Sequence, residues 1–191
     1  MDRSLLVLAS GTGSLAQAII EATQNGEIAA RVLAVLTDKP DAEVVSRCAT
    51  LGVPIITHPL QEDRKIWDEE MYLITESLNP SLVVSAGFMR ILPPDFVSDF
   101  KVINSHPSLL PNFPGAHAVR DALIAKAELT GTTIHWVDAG MDTGEIIASA
   151  EVPILSGDTE ELLHERIKIV ERGLIVATIS QVLDSLETSH G

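Results

Sequence analysis

Residues 31–37 (RVLAVLT) hold five apolar side chains in unbroken succession, Val32 to Leu36. A half-buried strand would alternate apolar and polar residues, so this run predicts a strand covered on both faces. Such strands belong to mostly parallel sheets with helices above and below. The neighbouring segments keep the same rhythm. Residues 5–9, 53–56, 82–85 and 101–104 read as further strands, and 14–24, 41–51 and 61–78 as amphipathic helices between them. On 14–24, Leu15, Ala18, Ile19 and Ala22 share one helical face. Gly52 and Asn79-Pro80 supply stop signals. The β-α-β-α order predicts an open, mostly parallel α/β sheet with helices on both faces. After residue 104 the pattern changes. Residues 105–117 contain Pro107, Pro111 and Pro114 and predict an ordered irregular loop. Residues 131–137 and 145–152 read as two strands joined by a glycine-rich connection. Residues 159–186 read as a long helix or helix pair, with Asp158 or Thr159 as cap and Glu160 and Glu161 in the first turn.

No repeat or linker interrupts the 191 residues, which read as one domain. At this length roughly 70% of the unfolded chain's surface can be buried, so neither a disulfide nor a structural metal is required. The one cysteine, Cys48, reads as a plain buried thiol rather than a redox or nucleophilic group. The cytoplasm is the natural compartment, and the apolar run near the N-terminus is too short to span a membrane. Thirteen basic residues stand against 27 acidic ones, for a net charge of −14. That charge disfavours nucleic acid and anionic membrane as partners but leaves room for local capture of a small anion.

Three segments carry chemistry. The first is Ser10-Gly11-Thr12-Gly13-Ser14-Leu15-Ala16, between a strand and a helix. Its glycines let a ligand approach the backbone, and the free N–H groups of the helix start favour a phosphate. Gly11, Gly13 and Ala16, with Asp38 at the end of the second strand, also fit a loose dinucleotide fingerprint. A tight turn with no ligand is the third reading. The second segment holds Asn104 and His106, two apart at a strand end, so both side chains point the same way. An amide donor beside an imidazole suits acyl transfer, one binding an oxyanion and the other moving a proton. His58, His117 and His164 lack such company, and His135, alternating with apolar neighbours, is ambiguous. The third segment, Asp138-Ala139-Gly140-Met141-Asp142-Thr143-Gly144, is a turn in which either aspartate could be a turn former.

Together these segments resemble the glycinamide ribonucleotide formyltransferases of purine synthesis. The resemblance is carried by SGTGS, by Ser85-Ala86-Gly87-Phe88-Met89-Arg90-Ile91-Leu92, and by residues 104–115 (NSHPSLLPNFPG). Gly131-Thr132-Thr133-Ile134-His135 and Met141-Asp142-Thr143-Gly144 extend it over nearly the whole chain. It implies a Rossmann-like formyltransferase fold over 1–191, with 10-formyltetrahydrofolate as cosubstrate, glycinamide ribonucleotide as acceptor, and no metal. It is compatible with a homodimer. Asn104, His106 and Asp142 would be the catalytic trio. Gly11, Thr12, Gly13, Ser14 and Leu15 would bind the ribonucleotide phosphate, Met89 and Pro107 would place the glycinamide, and Glu171 would accept a ribose hydroxyl. Arg90, Ile91, Leu92, Val97 and the turn through Asp138, Gly140, Met141 and Asp142 would form the pterin pocket. Arg64 and Arg90 would face the folate glutamate tail. A cis bond is implied at Leu110-Pro111. Leu15, Ser105 and Glu145 depart from residues common in the family, and no catalytic group is lost. Relatives that formylate tRNA or hydrolyse the folate carry added domains that residues 1–191 are not expected to hold. A dinucleotide oxidoreductase would leave Asn104, His106 and Asp142 without a role.

Overall fold

The computed structural model describes residues 3–188. Seven strands form one sheet in the order β3-β2-β1-β4-β5-β6-β7. They are β1 (Ser4–Leu8), β2 (Arg31–Thr37), β3 (Ile55–Thr57), β4 (Leu82–Ser85), β5 (Val102–His106), β6 (Leu129–Trp136) and β7 (Ile146–Pro153). Neighbouring strands from β3 through β5 pair in parallel, and β6 and β7 join antiparallel. The helices are α1 (Ser14–Gln24), α2 (Glu43–Leu51), α3 (Arg64–Leu78), α4 (Pro94–Asp99), α5 (Ala118–Ile124) and α6 (Glu160–Thr188). The final segment is therefore one helix rather than a pair. Thr159 caps it, its hydroxyl accepting from the Leu162 N–H.

Successive residues of the central strands supply two cores. Leu5, Val7, Val35, Val84 and Ile103 pack under α1, α2 and α6 with Ile19, Cys48, Ile175 and Ile179. Leu6, Leu8, Leu36, Val83 and Val102 pack on the other face under α3 and α4 with Trp67, Met71 and Phe96. This is the double covering that the unbroken apolar runs require. Among the described residues no helix is long and apolar enough to cross a membrane.

The strand order reverses between β1 and β4. In open α/β sheets that is the crevice where ligands bind, outside the carboxyl ends of the strands. Here the turns after the two strands are tied together. Ser10 N–H donates to the Gly87 carbonyl at 3.1 Å, and its hydroxyl accepts from Met89 N–H at 2.9 Å.

Candidate functional site

The glycine turn after β1 ends at Gly13, whose φ of 74° places it in the left-handed region. A Cβ built there would lie 2.4 Å from Val44 Cγ2, so position 13 is closed to a side chain by conformation and by space. Gly13 makes no side-chain cap, and Gln17 is the first residue of α1 whose N–H finds a helical partner, the Gly13 carbonyl at 2.8 Å. The N–H groups ahead of it stand at the positive end of the helix dipole. Gly11 and Thr12 are exposed, Ser14 is half-buried, and the Leu15 side chain turns into the core. Met89, 62% exposed, flanks this turn through its bond to Ser10.

β5 runs to His106, two residues beyond the predicted strand end. Asn104 and His106 therefore lie within the strand and share its α3 side. The antiparallel partner β6 sets His135 directly opposite Asn104 and Thr133 opposite His106. The proline segment after β5 folds back over His106. His106 Nε2 donates to the Phe113 carbonyl at 2.9 Å, and Ser108 Oγ donates to the Asn112 carbonyl at 2.6 Å. Thr133 Oγ1 donates to the Ser108 carbonyl at 2.7 Å and accepts from Leu110 N–H at 3.1 Å, anchoring the segment to β6. Leu110-Pro111 is cis.

The turn between β6 and β7 separates its two aspartates. Asp138 Oδ1 accepts from Gly140 N–H at 3.0 Å and Thr143 Oγ1 at 2.8 Å, which makes Asp138 the turn former. Asp142, at φ 55°, turns the other way and enters the site. Its Oδ2 lies 3.4 Å from His106 Nδ1 and accepts from Gly115 N–H at 2.8 Å, while Oδ1 lies 3.6 Å from His135 Nε2. The His135 imidazole, then the Gly115 N–H and the His106 ring, hold the Asp142 carboxyl below the usual carboxylate range, against a partial burial that acts in the opposite sense. A cleft of about 280 Å³ opens beside it, lined by Leu110, Pro111, Pro114, Met141, Asp142 and Ile146.

His135 is the member that sequence reading left ambiguous. It is 2% exposed, and its Nδ1 donates to the Trp136 carbonyl at 2.8 Å. Its Nε2 lies 3.2 Å from Asn104 Nδ2. The ring thereby holds the Asn104 side chain in place. Only the long-range register of β5 on β6 brings the pair together, and no local spacing encodes that.

The remaining predicted residues fall into two groups on either side of the sheet. Glu171 is buried on α6, where Ser105 Oγ donates to it at 2.6 Å, so it is no solvated helix acid. Arg64 opens α3, pairs with Asp68 at 2.7 Å, donates to the Ile91 carbonyl and lies over the Trp67 ring at 5.0 Å. Arg90 Nε donates to Asp38 Oδ2 at 2.7 Å. That bond engages Asp38, and its other oxygen Oδ1 is buried with no partner among the described residues. An acid so enclosed is not presented to the ribose of a dinucleotide. Ile91 is exposed, Leu92 buried and Val97 half-buried against the α3 and α4 core. Pro107 is half-buried beside His106, whereas Gly140 and Met141 are exposed on the turn.

Residues 3–179 match the family Formyl_trans_N, formyl transferase. The chain is 49% identical over 180 residues to the phosphoribosylglycinamide formyltransferase of Mycobacterium tuberculosis H37Rv, covering 92% of this chain and 83% of that one. It is 38% identical over 193 residues to the phosphoribosylglycinamide formyltransferase of Escherichia coli K12, covering 98% and 90%. The crystal structure of glycinamide ribonucleotide transformylase 1 from Symbiobacterium toebii superposes with a TM-score of 0.93 at 34% identity, covering 96% of this chain and 89% of that one.

Proposed function

The chain belongs to the formyl transferase family, and from that premise we propose that it transfers the formyl group of 10-formyltetrahydrofolate to the amine of glycinamide ribonucleotide, a step of purine synthesis. The observation that carries the reading is the meeting of Asn104, His106 and Asp142 at the carboxyl end of β5, beside the reversal of strand order. On this reading the two substrates approach from opposite faces of the sheet. The glycine turn and Glu171 lie on the α1 and α6 side and take the ribonucleotide. Its phosphate meets the backbone of Gly11, Thr12, Gly13, Ser14 and Leu15, and its ribose meets Glu171. Met89 and Pro107 place the glycinamide. Arg64, Arg90, Ile91, Leu92 and Val97, with the turn through Asp138, Gly140, Met141 and Asp142, form the folate side.

The acceptor amine attacks the formyl carbon, making a new C–N bond and a tetrahedral oxyanion. The Asn104 amide and a protonated His106 stabilise that oxyanion. A single such donor is typically worth roughly 10²–10³ in rate. Asp142, ionised, lies 3.4 Å from His106 Nδ1. Directly or through water, it takes the proton lost by the attacking nitrogen and delivers it to the folate nitrogen as the old C–N bond breaks. No covalent enzyme intermediate is formed.

We take residues 1–191 as one formyltransferase domain working in the cytoplasm on small molecules. Its net charge of −14 opposes nucleic acid and anionic membrane, and a homodimer fits the reading. The test is formyl transfer from 10-formyltetrahydrofolate to glycinamide ribonucleotide, with a control lacking acceptor. Formylated ribonucleotide is expected. Folate hydrolysis at the same rate without acceptor would refute the assignment.

A further inference from the structure

Consecutive residues of β5 project to opposite faces, so the strand that points Asn104 and His106 toward the α3 side points Ser105 toward α6. Ser105 shares that face with Ile103, which packs in the core with Ile175 and Val176 of α6. A hydroxyl at this depth requires a partner, and it has two. Ser105 Oγ donates to Glu171 Oε1 at 2.6 Å, the length of a charge-assisted bond. Since its one hydrogen is spent there, the Thr132 hydroxyl, 3.4 Å away on β6, is left to donate to Ser105 Oγ. The result is a relay, Thr132 to Ser105 to Glu171, whose members polarise one another.

Glu171 is only 9% exposed, yet its second oxygen, Oε2, makes no hydrogen bond among the described residues and is not one of the fully occluded orphan atoms. One carboxylate oxygen is thus held by the sheet while the other keeps its accepting capacity. We infer that Ser105 is a positioning residue for the acceptor substrate: its hydroxyl fixes the rotamer of Glu171 so that Oε2 is presented to the ribose hydroxyls of the ribonucleotide. This rests on the reading of Glu171 as the ribose acceptor. Burial pushes the Glu171 carboxyl up, while Ser105 and, more weakly, Lys168 and Arg172 pull it back toward the ionised form. The same hydroxyl that orients the group therefore helps keep it an acceptor.

The test is steady-state kinetics with each substrate varied, for Ser105→Ala, Ser105→Thr, Thr132→Val and Glu171→Gln, with thermal unfolding of each. Ser105→Ala is expected to raise KM for the ribonucleotide about tenfold, leaving kcat and KM for the folate within about twofold. Ser105→Thr, which keeps the hydroxyl, restores the wild-type constant, and Thr132→Val gives a smaller rise in the same constant. Thr132→Val decides the matter if Ser105→Ala fails to fold. An unchanged ribonucleotide KM in Ser105→Ala, alongside a raised one in Glu171→Gln, would overturn the role of Ser105 and leave that of Glu171 standing. Unchanged values in both would overturn both. Equal losses in kcat and the two KM values, with a lowered Tm, would reduce Ser105 to packing.

Discussion

Asp142→Asn isolates charge from shape. The amide is isosteric, and its oxygen can still accept from Gly115 N–H, the 2.8 Å bond that holds the turn against the proline segment. What disappears is the negative charge 3.4 Å from His106 Nδ1 and 3.6 Å from His135 Nε2. At 3.4 Å and an effective dielectric of about 20, a unit charge pair is worth ~5 kcal/mol. The Asp142 side chain retains 14% exposure and borders an open cleft, so solvent screens part of that. Taking about 3 kcal/mol as the surviving share gives a loss of roughly 10² in kcat/KM. Two measurements check the value. The first is the pH profile of kcat/KM. A carboxyl held below its ordinary range is ionised throughout neutral pH, so on the acidic side the wild type should lose activity as pH falls through that depressed value. The Asn variant should lack this acidic limb. The second is stability by denaturant unfolding. A group whose pKa is lower in the folded state stabilises fully above its unfolded value and loses that contribution as pH falls through the folded one. Wild type and variant should therefore converge on acidification. Wild-type turnover in Asp142→Asn, or an unchanged acidic limb, would refute the reasoning.

Gly13→Ala should destabilise by about 2–5 kcal/mol, the sum of a left-handed backbone penalty and an overpacking cost against Val44, read from the urea midpoint. It should also raise KM for the ribonucleotide far more than for the folate, and equal effects on both would remove the turn from the phosphate site. Cys48 is fully buried and burial pushes its thiol up, so the native protein should resist alkylation at neutral pH and yield one reactive thiol on unfolding. Rapid modification of the native state would contradict that.

The elements with unbroken apolar runs or clean helical spacing were legible in the sequence. Residues 14–24, 31–37 and 82–85 are α1, β2 and β4 to the residue. The end of β5 was not, because Ser105 and His106 are poor strand formers. Pairing with β6 holds them extended, a tertiary contact that overrides propensity. α4 and α5, at six and seven residues, are too short for periodicity to register. The candidate site divides the same way. Asn104 and His106 declare themselves through local spacing. Asp138 and Asp142 occupy one turn with equal claims, and only the three-dimensional turn spends one on its own backbone and frees the other. His135 needs the register of two strands joined by a long connection, which no local pattern records.

The alternation along β5 also bears on how such a chain can change over time. Positions 103 and 105 face α6, and positions 104 and 106 face the α3 side. Position 105 can be exchanged without turning Asn104 or His106 off their own face, so acceptor preference is free to drift while the catalytic face is kept. Length has no such freedom. One residue gained or lost within Val102–His106 would exchange the two faces, delivering the imidazole to the core and the serine to the cleft. The strand is open to a change of spelling at its α6-facing positions and closed to changes of count.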